Sequence, residues 1–312
     1  MEQSRAVDRP LIAPAARTDD HGPFQAPWSV QGIDECDFYH VMELPGFGQT
    51  SGQWDLRRTV AAYLGHSDFS GKRVLDLGSA SGFLTFAIEA RGGSVVAFDF
   101  DAAEHIQKDL IPFPANQLHS QQRIDDMNRY SRRLKSSYWF AHRLLGSKAK
   151  AYYGDVYALP DTIGRFDVVV VAQILVHLHD PVQALVSASR LCDDTLIIVE
   201  GMPDLAAPIA IFYATPDRPD LSHSWWAFSV GMYRKLLRIL GFGIVSVTTS
   251  RHRCTVPGMR PMHGVTTIVA RRSALESVAD YEQSFRYRLR YRLGRGALRA
   301  AEMLLGEAKR TK

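Results

Sequence analysis

The stretch VLDLGSASGFLT, residues 74–85, sets an acid beside a glycine-spaced turn. Gly78 permits a sharp turn, and Gly82 lets backbone approach a ligand closely. A dinucleotide fingerprint G-x-G-x-x-G uses its middle glycine to admit a pyrophosphate. Here Ala80 holds that position, and Asp76 stands where it would repel a pyrophosphate. An acid beside the turn suits a cationic or neutral ligand instead. S-adenosylmethionine (SAM) carries both an ammonium and a sulfonium, so charge favours it over a nicotinamide or flavin carrier. Asp99 follows 23 residues later, where a carboxylate can accept two hydrogen bonds from ribose hydroxyls. SAM and dinucleotide enzymes share that feature. Asp155 in YYGDVYAL could accept the adenine amino group while the Val156 backbone meets the ring. Any one of these acids alone reads as a helix N-cap. Three at three successive strand ends read as a ligand site. The candidate cofactor residues are Asp76, Gly78, Ser79, Gly82, Asp99, Phe100, Asp155, Val156 and Gln173.

Methyl transfer from a sulfonium needs the acceptor aligned ~3–3.5 Å from the carbon and water excluded. A base is needed when the acceptor is a hydroxyl, and histidine suits neutral pH. HLHDP, residues 177–181, brings His177, His179 and Asp180 to the end of the fourth strand. Asp180 is also a natural N-cap, and either histidine could instead bond backbone carbonyls. Glu200 closes the fifth strand, to touch substrate or to pair with an arginine. Trp225 and Trp226 could wall a substrate pocket, stack on a base or sugar face, or fill core. Trp54 and Phe83 could lie near the sulfonium by cation–π attraction. No His/Asp cluster has ligand spacing beyond HLHD, so no metal is expected.

These residues need strands to carry them. Residues 1–50 are rich in Pro and Gly and read as an extended arm. Gln53–Leu64 has helical apolar spacing and stops at Gly65. Lys72–Leu77, the glycine turn, a helix over Phe83–Ala90 and Ser94–Phe98 form a βαβ unit, hence a parallel sheet. Ala102–Ser147 is basic and long enough for two helices. Strands follow at Ala149–Tyr153, Phe166–Val171 and Thr195–Glu200, with a helix at Pro181–Leu191 that has Pro in its first turn. A Pro-rich stretch, 201–224, lies over the sheet mouth. A helix over Ser229–Leu240 and strands at Gly243–Thr249 and Val265–Ala270 complete a seven-strand α/β sheet with helices on both faces. The domain reading is an arm over 1–52, a catalytic domain over 53–272 with inserted segments 102–147 and 201–228, and a basic extension over 273–312.

Of the 312 residues, 46% are hydrophobic and 22% charged, which excludes collagen, coiled coil and wholesale disorder. No apolar run reaches the ~18–20 residues of a membrane span. The polar N-terminus lacks an apolar signal core, and three widely spaced cysteines suit a reducing compartment, so a cytoplasmic location is expected. Net charge is 37 − 33 = +4. Gln121–Lys150 carries eight Lys/Arg against two Asp, and Tyr281–Lys312 carries nine against three Glu, so each is +6 and the rest is near −8. Such segregation suggests RNA, a phosphate or an acidic lipid surface, or else a merely solvated face. Phe285–Leu293 alternates apolar with arginine, which is a strand signal, and Ala297–Ala308 looks helical.

With these motifs the chain resembles the class I SAM-dependent methyltransferases. VLDLGSASG is similar to their first motif, FDFD (98–101) to their second and GDVYAL (154–159) to their adenine-contacting segment. A narrower likeness joins YHVMELPGFGQTSGQWDLR (39–57), YWFAHRLLGSKAKAYYGDVYAL (138–159), ILVHLHDPVQAL (174–185) and Trp225-Trp226 to the tRNA wobble-uridine methyl/carboxymethyltransferase-like group. That resemblance implies a Rossmann-like domain with an inserted helical substrate cap. It aligns His177 with a family histidine, making it the first candidate base. The family's preceding tyrosine is Val176 here, so that role is unfilled. The resemblance also implies a tailoring role, because many members of that group look like enzymes that act on sugars, lipids or secondary metabolites rather than tRNA. The expected function is therefore O-methylation of a small or glycosylated metabolite. The alternatives are methyl or carboxymethyl transfer to tRNA, and SAM binding without catalysis.

Overall fold

The computed structural model describes residues 21–101, 121–213, 224–256 and 260–272. An N-terminal strap leads in, with a tight hairpin of β1 (Glu43–Leu44) and β2 (Gly48–Gln49), then β3 (Trp54–Asp55) and α1 (Val60–Tyr63). The strand–helix series follows: β4 (Arg73–Leu77), α2 (Phe83–Glu89), β5 (Ser94–Phe100), α3 (Gln121–Leu145), β6 (Lys150–Gly154), β7 (Phe166–Ala172), α4 (Pro181–Leu191) and β8 (Cys192–Glu200). After it come β9 (Ala210–Phe212), β10 (Trp226–Phe228), α5 (Val230–Ile239), β11 (Gly243–Cys254) and β12 (Met262–Arg271). The main sheet runs β3-β11-β12-β8-β7-β4-β5-β6. From β6 through β8 it is parallel, and β12 enters antiparallel between β8 and β11. Strand order reverses at β4, so a crevice opens beyond the carboxyl ends of β4 and β7.

Burial explains the strands. Val168–Val171 is a continuous β-branched run, buried on both faces as a central parallel strand must be. One face packs on α2, α3 and the strap through Phe69, Phe86, Tyr138 and Phe140. The other packs on α4 and α5 through Leu185, Leu237 and Phe242. Pro181 opens α4 beneath Asp180, whose carboxylate accepts the Gln183 N–H at 2.9 Å. Among the described residues, no helix is long and apolar enough to cross a membrane.

Two expectations change. Among the described residues the sheet has eight strands rather than seven, because Trp54–Asp55 pairs with Arg253–Cys254 at the edge. The helix expected over Gln53–Leu64 shrinks to Val60–Tyr63. Trp54 and Leu56 satisfy strand spacing as well as helical spacing, and Asp55 fixes a turn by accepting from the Arg57 backbone (3.3 Å) and guanidinium (2.9 Å). The described part of the segment over the sheet mouth contains an antiparallel ribbon, β9 against β10. Pro203 and Pro208 withhold helix-forming N–H groups, and Phe212 faces Trp226 across the ribbon. In the 102–147 segment the described residues from 121 on form α3, and residues 102–120, where a further helix was expected, lie outside the described residues. So do residues 1–20 of the arm, the alternating stretch 285–293 and the helix expected at 297–308.

Ile198, in β8 between Val171 of β7 and Ile268 of β12, is fully buried. Ile198→Ala should cost ~2–5 kcal/mol in denaturant unfolding, and a loss under ~1 kcal/mol would contradict a close-packed centre here.

Candidate cofactor and acceptor site

The glycine turn carries three left-handed residues, Gly78 (φ 88°), Ala80 (φ 49°) and Gly82 (φ 90°). The N–H groups of Gly78 and Ser79 both donate to the Phe98 carbonyl at 2.9 Å, so the turn hangs from β5. A Cβ on Gly78 would lie 2.1 Å from Ile174 Cγ2, and one on Gly82 would lie 2.5 Å from Phe86. Glycine is required at both positions by space as well as by φ.

Asp76 is wholly buried at the end of β4. Its Oδ2 accepts the Thr85 hydroxyl at 2.6 Å, while Oδ1 has no partner within the protein. Burial, with a smaller push from Asp99, raises this carboxyl to about 6. Asp99 accepts the Ala80 N–H at 2.7 Å on one oxygen and the Phe100 N–H at 2.9 Å on the other. Burial raises its pKa, and the Lys135 ammonium pulls it back. Lys135 comes from α3, donates to the Asp101 carbonyl at 2.6 Å and lies 5.0 Å from the Phe100 ring centre. Burial lowers the Lys135 pKa, against the attraction of Asp99. Two buried acids, one with an orphaned oxygen, suit a ligand bearing positive charge. The site therefore fits SAM and disfavours a pyrophosphate. Asp155 fills its N-cap role, accepting the Tyr157 N–H at 2.9 Å ahead of the turn Val156–Ala158.

Beyond the ends of β7 and β8 lies a cavity of about 300 Å³. Tyr213, Trp226, Phe228 and Tyr233 wall it, and Gln173, Glu200 and His263 supply polar groups. Gln173 has φ 56°, and its N–H is held by the Val199 carbonyl at 2.8 Å. The next residue, Ile174, is the one that faces Gly78, so the glycine turn and the cavity share a border. Glu200 is buried and accepts the Leu175 N–H at 2.9 Å. Burial drives its carboxyl up to about 8, while backbone N–H groups of residues 174–176 pull it back.

His177 is half-buried in the single turn Leu175–His177, whose Leu175 and Val176 reach the cavity lining. His179 is exposed, with Nδ1 3.0 Å from the Tyr157 hydroxyl. Its carbonyl accepts the Trp226 indole N–H at 3.1 Å, and the Trp225 N–H donates to the Val176 carbonyl at 2.7 Å. The segment with both histidines is thus stitched to the ribbon. The structure brings Gln173, Glu200 and Trp226 into one cavity, and sets His177, His179 and Trp225 in the adjoining turn and ribbon. Lys135 and His263 escaped the sequence reading. Nothing in a helix rich in arginine marks its one lysine as the cation that turns inward, and His263 is a lone histidine in a strand.

A parallel α/β sheet with its last strand inserted antiparallel, and acids ringing the first turn, defines a class I SAM-dependent methyltransferase. The chain belongs to the methyltransferase-domain family, whose model matches residues 52–247. No curated protein matches it by sequence. Among solved structures, it is similar to the N-terminal domain of EvdMO1, determined with S-adenosylhomocysteine and D-fucose. Identity is 18%, the TM-score 0.48, and coverage 76% of this chain and 92% of that one. It is also similar to the Burkholderia thailandensis 1,6-didemethyltoxoflavin-N1-methyltransferase (19%, TM-score 0.44, covering 69% and 76%). A third is the magnesium protoporphyrin IX methyltransferase of Synechocystis PCC 6803 (15%, TM-score 0.45, covering 69% and 80%). Likeness at this level says nothing of what the present chain acts on.

Glu200 gives the site a pH signature. Its folded pKa of about 8 lies above its ordinary 4.5, so its share of stability is full below 4.5 and falls as pH rises through 8. Glu200→Gln should keep the bond to Leu175 and gain stability on the wild type steadily from pH 5 to 8. A difference in unfolding free energy independent of pH would show that Glu200 ionises normally.

Proposed function

We propose that the chain methylates a hydroxyl of a small or glycosylated metabolite bound in the cavity between the ribbon and β8. The observation that supports this reading is the lining itself. Aromatic walls surround one carboxyl, one amide and one imidazole, and no lysine or arginine is among the described lining residues. An RNA acceptor would need a basic trough to follow its phosphates. The ribbon covers the mouth, and aromatic faces of this kind suit a sugar or flat ring.

SAM, when bound, supplies an electrophilic methyl group. Asp76, Asp99, Asp155 and the backbone of the glycine turn would hold it, with Gln173 at the border toward the acceptor. The remaining work belongs to the chain's own side chains. Trp226 and Phe228 exclude water and orient the acceptor. Glu200, protonated below pH about 8, can donate a hydrogen bond to one acceptor oxygen. His177, in the turn flanking the cavity, would take the proton from the reacting hydroxyl.

His177→Ala should lower turnover ~10²–10⁴-fold while S-adenosylhomocysteine binding stays intact. Product release from SAM with a panel of hydroxylated and glycosylated metabolites, alongside calorimetry, makes the check. Near-normal turnover would refute the base. Methylation of bulk tRNA with no turnover on the panel would move the reading to RNA.

A further inference from the structure

The strap before β1 lies across the glycine turn. The N–H groups of Tyr39 and His40 both donate to the Ser81 hydroxyl, at 3.2 and 3.4 Å, and Ser81 is wholly buried within the turn. The Val41 N–H donates to the Trp54 carbonyl at 2.8 Å, and the Tyr39 hydroxyl accepts the Trp54 indole N–H at 3.2 Å. The Trp54 ring meets His263, a wall of the cavity, edge-on at 5.5 Å. One stretch of chain therefore runs from the donor turn to the acceptor compartment. Its path is tightly fixed, since a Cβ on Gly52 would lie 2.4 Å from the Val41 nitrogen.

His40 sits in this stretch with its ring 5.5 Å from that of Phe83, the residue that follows the turn. It is 7% exposed, and its Nδ1 has no hydrogen-bond partner within the protein. Buried polar atoms are nearly always paired, so an orphaned one calls for a ligand or a reason. Asp76 Oδ1 is a second such orphan, on the strand that feeds the same turn.

We propose that His40 Nδ1 is a cofactor-binding group, hydrogen-bonded to the amino-acid arm of SAM. This rests on the reading of the site as a SAM site and adds to it a residue upstream of every glycine-turn motif. Burial lowers the His40 pKa to about 3, so the ring is neutral and adds no repulsion toward a sulfonium. A neutral imidazole can present Nδ1 as donor or acceptor according to its tautomer. That serves either the carboxylate or the ammonium of the arm.

The test is calorimetry on the full chain with two probes. S-adenosylhomocysteine carries the arm, and methylthioadenosine keeps the adenosine and sulfur without it. His40→Gln moves the polar end group toward the Nε2 position, whereas His40→Asn keeps one near Nδ1. His40→Gln should weaken S-adenosylhomocysteine about tenfold or more, leave methylthioadenosine unchanged and leave the ligand-free thermal midpoint in place. His40→Asn should retain most of the affinity for S-adenosylhomocysteine. If His40→Gln fails to fold, a selective loss of S-adenosylhomocysteine in His40→Asn overturns the proposal. So does unchanged affinity in His40→Gln, or an equal loss of both probes, which would mark a merely structural histidine. A wild-type chain that takes up neither probe would instead sink the SAM reading itself.

Discussion

The bond from the Ala80 N–H to the Asp99 carboxylate, 2.7 Å long, underlies the arrangement of the whole site. It ties the apex of a turn containing three left-handed residues to the end of the neighbouring strand. The Phe98 carbonyl secures the same turn from below by accepting two N–H groups. A left-handed Ala80 is costly for a residue with a Cβ, and persists because its surroundings over-determine it. With the turn held, Ser81 can receive the strap, Gly82 can admit the Tyr138 and Phe86 rings, and Gly78 can accept Ile174.

That architecture concentrates negative charge. Asp76 and Asp99 are both buried and each sits above its ordinary pKa. Lys135 offsets part of this from α3, and its own pKa is lowered by the same burial. Such a site holds one acid, Asp76, whose Oδ1 the protein leaves without a partner, which favours a cation over an anion. The cavity beyond β7 and β8 follows another logic. Its one carboxyl is neutral over most of the physiological range, and its walls are aromatic. A charged compartment and a nearly uncharged one thus meet at Gln173 and Ile174.

Much of the scaffold was legible in the sequence. Buried β-branched runs such as Val168–Val171, glycine stops and a proline-led helix at Pro181–Leu191 are local signals that tertiary packing reinforces. The acids at strand ends could be read because strand ends can be read. What escaped depended on long-range packing. Trp54–Leu56 fits two periodicities, and only the edge of β11 decides between them. Lys135, His263 and His40 are single polar residues whose burial is set by elements far away in the chain. The ribbon was masked by prolines that announce irregularity without saying what replaces a helix.

The ribbon is fastened largely through peptide groups and one indole. Trp225 N–H meets the Val176 carbonyl, Tyr213 N–H meets the Trp225 carbonyl, and the Trp226 indole reaches the His179 carbonyl. The two main-chain bonds survive any exchange of the side chains at 213 and 225 other than to proline at a donating position. Drift at this flap can therefore reshape the cavity beneath it without loosening its hinge to the sheet or disturbing the glycine turn.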